Sequence, residues 1–395
     1  MKTRIGQLLR TLNGVNHVRQ KFFTHIFVLF LGVRGRLNFL NMARYGIYSE
    51  KTYRTHFETP VDFFHMNLAH VRTITSPHRI IASDASYSPK SGKQTPHVGS
   101  FWNGCVSKSM HGLEISELAV IDLDRNTAFH LECLQTPGIL PTTESRIDFY
   151  VKQITDRASE LKTLADYLVY DGAAATIKFV DGLLDGSDLH LISKLRKDAD
   201  LRYLYTGERR PGPGRPKCYD GKIDCQHIET SRFDTCYDDD DIIIYTAIVN
   251  SVSLKRNIRI AYVQHKATDA YVIVFSTDVT IDGLLIVTYY NARFQIEFLF
   301  RDSKQFTGLS HCQARSEQKL YSHFNISLTS VSLAKSEFYA DADNAGKPFS
   351  MHDVTTRYAN TLYLDHIFSR LGIDSLADDI APIYHELLQF GSIAA

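Results

Sequence analysis

The sequence predicts an α/β protein in which a strand-and-helix core is interrupted by a β-rich insertion and flanked by a helical N-terminal region and an α-helical C-terminal one. Three observations predict it. Two short apolar runs, residues 80–84 and 166–171, each end in a carboxylate, Asp84 and Asp171, as strands bounded by turn residues do. Three β-branched runs, residues 242–249, 258–263 and 271–275, follow a Pro- and Gly-rich stretch at 209–216, which marks a loop opening a β segment. Apolar residues recur at helical spacing at Ile5, Leu8, Leu9 and Leu12, and again through residues 281–305, 317–339 and 353–390.

The elements follow in order. Up to about residue 75 the pattern is helical, with residues 22–33 as a core helix and 37–45 as another. Residues 80–84, 113–123 and 127–134 form a three-stranded meander, with a long polar loop at 86–99 and a turn at Asp124, Arg125 and Asn126. An amphipathic helix over 146–164 leads into the strand that ends at Asp171; a helix over 173–184 and a strand over 188–195 follow. Three strands, helix, strand, helix and strand is the order of an RNase H-like core. The expected domains are therefore a helical DNA-binding domain at 1–75, the first part of the core at 76–195, the β-rich insertion at 196–276, the second part of the core at 277–335 and a helical C-terminal region at 336–395.

With 395 residues, 44% hydrophobic and 22% charged, the chain has the composition of an ordinary globular protein of two or three domains. Its 44 basic and 44 acidic residues cancel, but unevenly along the chain. Residues 1–54 hold ten Lys and Arg against one acid, Glu50, the local excess that phosphate binding requires. The apolar run 22–33 falls short of the roughly 20 residues that cross a bilayer, and no signal-peptide cleavage site follows it. A cytoplasmic, nucleoid-associated protein with no membrane partner is expected. The six cysteines form no C-x-x-C pair, which points to reduced thiols; Cys218, Cys225, His227 and Cys236 are too irregularly spaced for a structural zinc site. The acidic run 238–241 reads as a solvated turn.

The chemistry concentrates on a helix expected over residues 287–305. At ~100° per residue, Tyr290, Arg293, Arg301 and Lys304 all fall within roughly 40° of Glu297. Most of the remaining positions are apolar. An ordinary salt-bridged face, with Glu297 paired to Arg293 and Arg301 at i±4, accounts for part of this stripe, but three cations for one carboxylate leave room for an anion. A DNA phosphate and a divalent cation would complete the set. Transfer at a phosphodiester needs an attacking oxygen activated and a leaving oxygen stabilised, which two Mg²⁺ ions about 4 Å apart achieve; Mg²⁺ takes oxygen ligands, and Asp84, Asp171 and Glu297 supply them.

Tyr290-x2-Arg293-x3-Glu297-x6-Lys304 resembles the Y-R-E-K signature of the DDE insertion-sequence transposases usually called the IS-four family. Ser83-Asp84-Ala85-Ser86 and Val169-Tyr170-Asp171-Gly172 resemble that family's first and second Asp regions; residues 191–197 and 214–217 resemble the start of its β insertion and residues 275–278 the return from it. The resemblance runs from about residue 20 to 335. Phe294 stands where relatives usually carry Trp. The resemblance implies cut-and-paste transposition of an insertion-sequence element by a Mg²⁺-dependent polynucleotidyl transferase, with Mn²⁺ able to substitute and no organic cofactor. It implies metal ligation by the catalytic residues Asp84, Asp171 and Glu297, and phosphate binding by Tyr290, Arg293 and Lys304; Arg301, on the same helix face, is a further candidate phosphate contact. The implied partners are double-stranded DNA, as terminal inverted repeats and target, and a second copy of the chain in the synaptic complex.

Candidate DNA contacts outside the stripe are Arg34, Arg36 and Arg44 in the basic helical region and Arg210, Arg215 and Lys217 in the insertion loop. Most contacts of this kind go to phosphate. The only tryptophan, Trp102, lies outside the insertion; Tyr203, Tyr205 and Phe233 inside it are either core residues or platforms for a base. A nuclease of the same fold without strand transfer and a non-catalytic DNA-binding protein are the alternatives.

Overall fold

The computed structural model describes residues 6, 16–92, 94–104, 106–208, 215–268 and 270–393. Four helices come first: α1 (His17–Gly32), α2 (Phe39–Tyr45), α3 (Glu50–Glu58) and α4 (Phe63–Ile74). Each starts at a residue whose side chain accepts a backbone N–H of the first turn, Asn16 from Arg19, Asn38 from Asn41, Ser49 from Thr52 and Asp62 from His65, the capping that ends a helix's run of unpaired donors. The apolar run expected as a core helix is one: Phe22, Phe23, Ile26, Phe27, Leu29 and Phe30 of α1 are buried.

The meander follows as β1 (Arg79–Pro89), β3 (Lys108–Asp122) and β4 (Thr127–Gln135), with an additional short strand β2 (Gly99–Asn103). β1 continues five residues beyond Asp84, to Pro89, into the stretch expected as loop, because β3 pairs with its whole length from Arg79↔Asp122 to Pro89↔Gly112. The expected amphipathic helix is divided into α5 (Arg146–Thr155) and α6 (Ala158–Lys162); β5 (Tyr167–Val169), α7 (Ile177–Gly186) and β6 (His190–Lys194) complete the first part of the core.

The segment after β6 forms β7 (Leu201–Leu204), β8 (Tyr219–Lys222), β9 (Asp234–Asp238), β10 (Ile242–Ser251), β11 (Arg256–His265) and β12 (Tyr271–Ser276). These strands extend the same sheet, in the order β2-β3-β1-β5-β6-β12-β11-β10-β7-β8, with β4 beside β3 and β9 beside β10. β1, β5 and β6 run parallel; the other pairings are antiparallel. The chain then becomes helical: α8 (Gly283–Ala292), α9 (Phe294–Phe306), α10 (Glu317–Tyr339), α11 (Met351–Leu371) and α12 (Ala381–Leu388). The last two divide the helical stretch expected over 353–390, and Gly372 closes α11 at φ 68°, a left-handed position that glycine occupies without a Cβ penalty. No helix among the described residues is long and apolar enough to cross a membrane.

Hydrophobic residues fill both faces of the sheet. On one, Ile80 and Ala82 of β1 and Ile115, Ala119 and Ile121 of β3 meet α9 and α10, and α1 belongs to the same cluster through Phe22, Phe27 and Phe30. On the other, Ile81, Leu118 and Val120 meet α4, α5 and α7. The N-terminal helices thus share their core with the helix that carries Glu297. Within this core, fully buried His323 donates from Nε2 to the Gly308 carbonyl at 2.8 Å, and burial pushes its ring down to about 4. An imidazole depressed from its ordinary 6.5 takes its proton first in the unfolded chain. Its stabilising contribution is therefore intact above about pH 6.5 and lost as pH falls toward 4, to a total of roughly 3 kcal/mol. Urea unfolding midpoints measured between pH 7.5 and 4.5 are expected to fall less steeply in His323→Gln than in the wild type; parallel profiles would show that the ring titrates normally.

Candidate active site

The parallel ladder between β1 and β5 pairs Ile81 with Leu168 and Ala82 with Val169. Two residues beyond that register stand Asp84 and Asp171, so both carboxylates leave neighbouring strands on the same face, at a strand spacing of about 4.8 Å. Asp84 sits inside its strand, opposite Glu117 of β3, and not at the strand end expected from the apolar run. Its Oδ1 accepts the Ala85 N–H at 2.8 Å. Asp171 stands two residues past the end of β5 and caps a single 3-10 turn, its Oδ1 accepting the Ala173 N–H at 2.9 Å, while the Ser193 hydroxyl holds its backbone carbonyl at 2.6 Å.

The third carboxylate comes from the helix expected over 287–305, which is broken at Arg293 into α8 and α9. The Arg293 N–H is shared between the carbonyls of Tyr289 and Tyr290 at 3.3 and 3.2 Å, the loosened geometry of a helix bend. The bend brings the Arg293 guanidinium between two of the carboxylates: it donates to Glu297 Oε1 at 2.9 Å and stands 3.7 Å from Asp84 Oδ2. Its side chain is 13% exposed, and among the described residues its Nε has no hydrogen-bond partner. The Tyr290 ring lies 5.7 Å from the guanidinium. Burial pushes the Tyr290 hydroxyl up, Arg293 opposes the rise and Asp171 adds to it, so tyrosine, arginine and all three carboxylates share one neighbourhood.

Burial, then the Asp171 carboxylate, push Asp84 up to about 7, against Arg293 and the Ala85 N–H, with Glu297 adding a smaller push. Three acids on one face with a single buried cation between them form an all-oxygen donor set, which suits a hard divalent ion such as Mg²⁺ or Mn²⁺. The donor types fit such an ion. Among the described residues no three His, Cys, Asp or Glu side chains close on one point as a pre-built cage, and Arg293 takes the place of a counter-ion between Asp84 and Glu297.

The remaining members of the stripe separate. Lys304 of α9 reaches over β1, donating to Ser86 Oγ at 2.7 Å and to the Tyr87 carbonyl at 3.0 Å. Arg301 turns away: it donates to Asp302 Oδ1 at 3.1 and 3.0 Å, lies over the Phe298 ring and lines a different cleft with Asp124 and Lys335. Phe294 is 52% exposed.

Of the candidate DNA contacts, Arg34 donates to Thr356 Oγ1 at 2.9 Å, Arg44 to Asn41 Oδ1 at 3.3 Å, and Lys217 to Asp220 at 2.6 Å with its ammonium over Tyr205. Arg36 and Arg215 are exposed; Arg210 lies outside the described residues. Tyr203 and Phe233 are core residues, whereas Trp102 is 58% exposed. All described cysteines are free, with Cys225 buried and Cys218 exposed. One group escaped the sequence reading. Glu117, directly opposite Asp84, accepts from His130 Nδ1 at 2.6 Å, and His130 Nε2 meets Asn325 Oδ1 of α10 at 3.0 Å, all three fully buried. Nothing local in the sequence joins positions so far apart.

Residues 150–333 match the family model described as transposase DDE domain. The matched span runs from α5 to α10 and contains Asp171 and the whole Tyr290 to Lys304 stripe; Asp84 precedes it. The match supports a DDE transposase, an enzyme of the polynucleotidyl-transferase type. A search of curated proteins finds no match to the chain.

Proposed function

We propose that this chain is an insertion-sequence transposase of the Y-R-E-K type that cuts and rejoins DNA by cut-and-paste transposition at a divalent-metal centre held by Asp84, Asp171 and Glu297. One observation carries the reading: the Arg293 guanidinium lies between Asp84 and Glu297 with a buried Nε that no described group accepts. A buried donor left unpaired is costly, and a phosphate oxygen is the acceptor that an arginine fork suits best. Bound among the three carboxylates, Mg²⁺ or Mn²⁺ would activate the attacking oxygen and stabilise the leaving one.

The chain's own groups do the positioning. Arg293 exchanges carboxylate partners for the phosphate, Tyr290 walls the same space, and Lys304, held at Ser86 and Tyr87, fixes the phosphate's position along β1. Arg301, already paired with Asp302, stands outside this set. The partners are duplex DNA, as element ends and target, and a second copy of the chain that brings the two ends together. The test is incubation of the protein with its element's terminal duplex in Mg²⁺ or in chelator. Metal-dependent nicking at the end together with joined products is expected. Nicking without joining would assign a nuclease, and metal-independent DNA binding without either product would assign a non-catalytic DNA-binding protein.

A further inference from the structure

Past Asp84, β1 runs on to Pro89 and delivers Lys90 to a second, open cleft of about 1060 Å³. Four segments build it: the loop after α1 with Arg36, α3 with Arg54, the end of β1 with Lys90, and the stretch from Ser310 into α10 with His311, Arg315 and Lys319. They are stitched together by Ser88 Oγ to Ser310 Oγ at 3.1 Å, by the Leu37 N–H to His311 Nδ1 at 3.2 Å and by Lys90 Nζ to the Cys312 carbonyl. Five of the fourteen lining residues are Lys or Arg, and none of the fourteen is Asp or Glu. Arg54 and Lys319 are answered by Glu50 and Glu58. Arg36, Lys90 and Arg315 pair with no carboxylate among the described residues. The cations also oppose one another: burial and then Arg315 hold Lys90 below its ordinary range, and burial and then Arg36 do the same to His311. Self-repelling cations gathered in an open cleft, with exposed Arg36 and Arg315 facing solvent, are what a polyanion satisfies.

We infer that this cleft is a second phosphate-binding site, which holds the backbone of a DNA duplex whose cleavage point lies at Asp84; the inference rests on the transposase reading above. Six residues of strand separate Asp84 from Lys90, about 20 Å at roughly 3.3 Å per residue, and Lys304 stands between them at Ser86 and Tyr87. At about 3.4 Å per base pair, the cleft meets phosphates roughly six base pairs from the cut. Duplex DNA fits better than a free nucleotide because Lys304, at Ser86 and Tyr87, and Lys90, at the end of β1, follow Asp84 along one strand into the cleft. The contact reads no sequence.

The experiment measures fluorescence anisotropy of a labelled 30-base-pair duplex of arbitrary sequence between about 50 and 200 mM salt, for the wild type, for Arg36→Gln/Arg315→Gln and for a control, Arg196→Gln, whose guanidinium is paired with Asp198. Both cleft substitutions are on exposed side chains, and circular dichroism confirms that the variant folds. Each phosphate contact contributes about 0.9 to the slope of log K against log salt, so the double variant is expected to lose about 1.8 in slope while the control keeps it. On a cleavable element end, ethylation interference is expected roughly six base pairs from the cut in the wild type and to vanish there in the double variant. A wild type that binds and a double variant that keeps its slope overturn the cleft while leaving the catalytic reading intact. A wild type that binds no duplex overturns both. Tighter binding of an RNA duplex, lost in the same variant, would assign the cleft to RNA.

Discussion

Asp84→Asn and Glu297→Gln are each expected to reduce DNA cleavage at least about 10³-fold, and to move the stability of the metal-free protein in opposite directions. The shared loss follows from the proposed metal centre: removing one charged oxygen ligand would forfeit several kcal/mol of transition-state stabilisation, at about 1.36 kcal/mol per tenfold. The opposite stability effects follow from the surroundings. Asp84 is pushed up to about 7 by burial and by Asp171, so its ionised form is the strained one. For a carboxyl raised in the fold, the penalty is absent below the unfolded value near 3.9, grows as pH rises toward 7 and is constant above that. Above pH 7, Asp84→Asn therefore removes on the order of 4 kcal/mol of strain, and the gain fades on acidification. Glu297 accepts the charge-assisted bond from Arg293 at 2.9 Å, and its loss costs about 1 kcal/mol. Thermal unfolding in chelator at pH 8 and pH 5 checks both signs. Equal destabilisation by the two variants would show that Asp84 is not held against its neighbours, and unaltered cleavage by either would remove that residue from the metal site.

The same crowding explains which parts of the site were legible in the sequence. The carboxylates ended or followed apolar runs, and the Tyr290 to Lys304 spacing marks one helix face; both features are local. The continuity of β7 to β12 with the core sheet was not legible, because strand order is fixed by pairings such as β6 with β12, residues 192–194 against 274–276, which no window of sequence contains. Asp84 was expected at a strand end because polar Ser86 and Ser88 follow it; pairing with β3 keeps them in the strand. Arg301 was the misplaced member of the stripe. A helical wheel places a Cβ, whereas a guanidinium at the end of a long side chain goes where charge demands it. Asp302, with its side chain 6% exposed, needs the partner more than the Glu297 face does. The bend at Arg293 was equally hidden, since the residue is an ordinary helix former.

Asn325→Leu is expected to cost about 3–5 kcal/mol, because this amide joins α10 to the strands that neighbour Asp84. Its Oδ1 accepts from the Cys133 N–H at 2.9 Å and meets His130 Nε2 at 3.0 Å, while Nδ2 donates to the carbonyls of Cys133 and Tyr321, both at 2.9 Å. The two carbonyls fix the amide's orientation, so both nitrogens of His130 face acceptors, Asn325 on one side and Glu117 on the other. Across the sheet Cys133 pairs with Glu117, and Glu117 with Asp84, so the clamp lies two strands from the reacting face. Leucine fills the volume but leaves the Cys133 N–H, its carbonyl and His130 Nε2 unpaired in a fully buried site, and each unmet group costs about 1–3 kcal/mol. Non-additivity should accompany the loss, since members of one buried network support each other: a double-mutant cycle of Asn325→Leu with His130→Phe, followed by urea unfolding, is expected to give a coupling of at least about 1 kcal/mol. Independent effects would mean that His130 is anchored by Glu117 alone, and that α10 is held to the sheet by its apolar contacts.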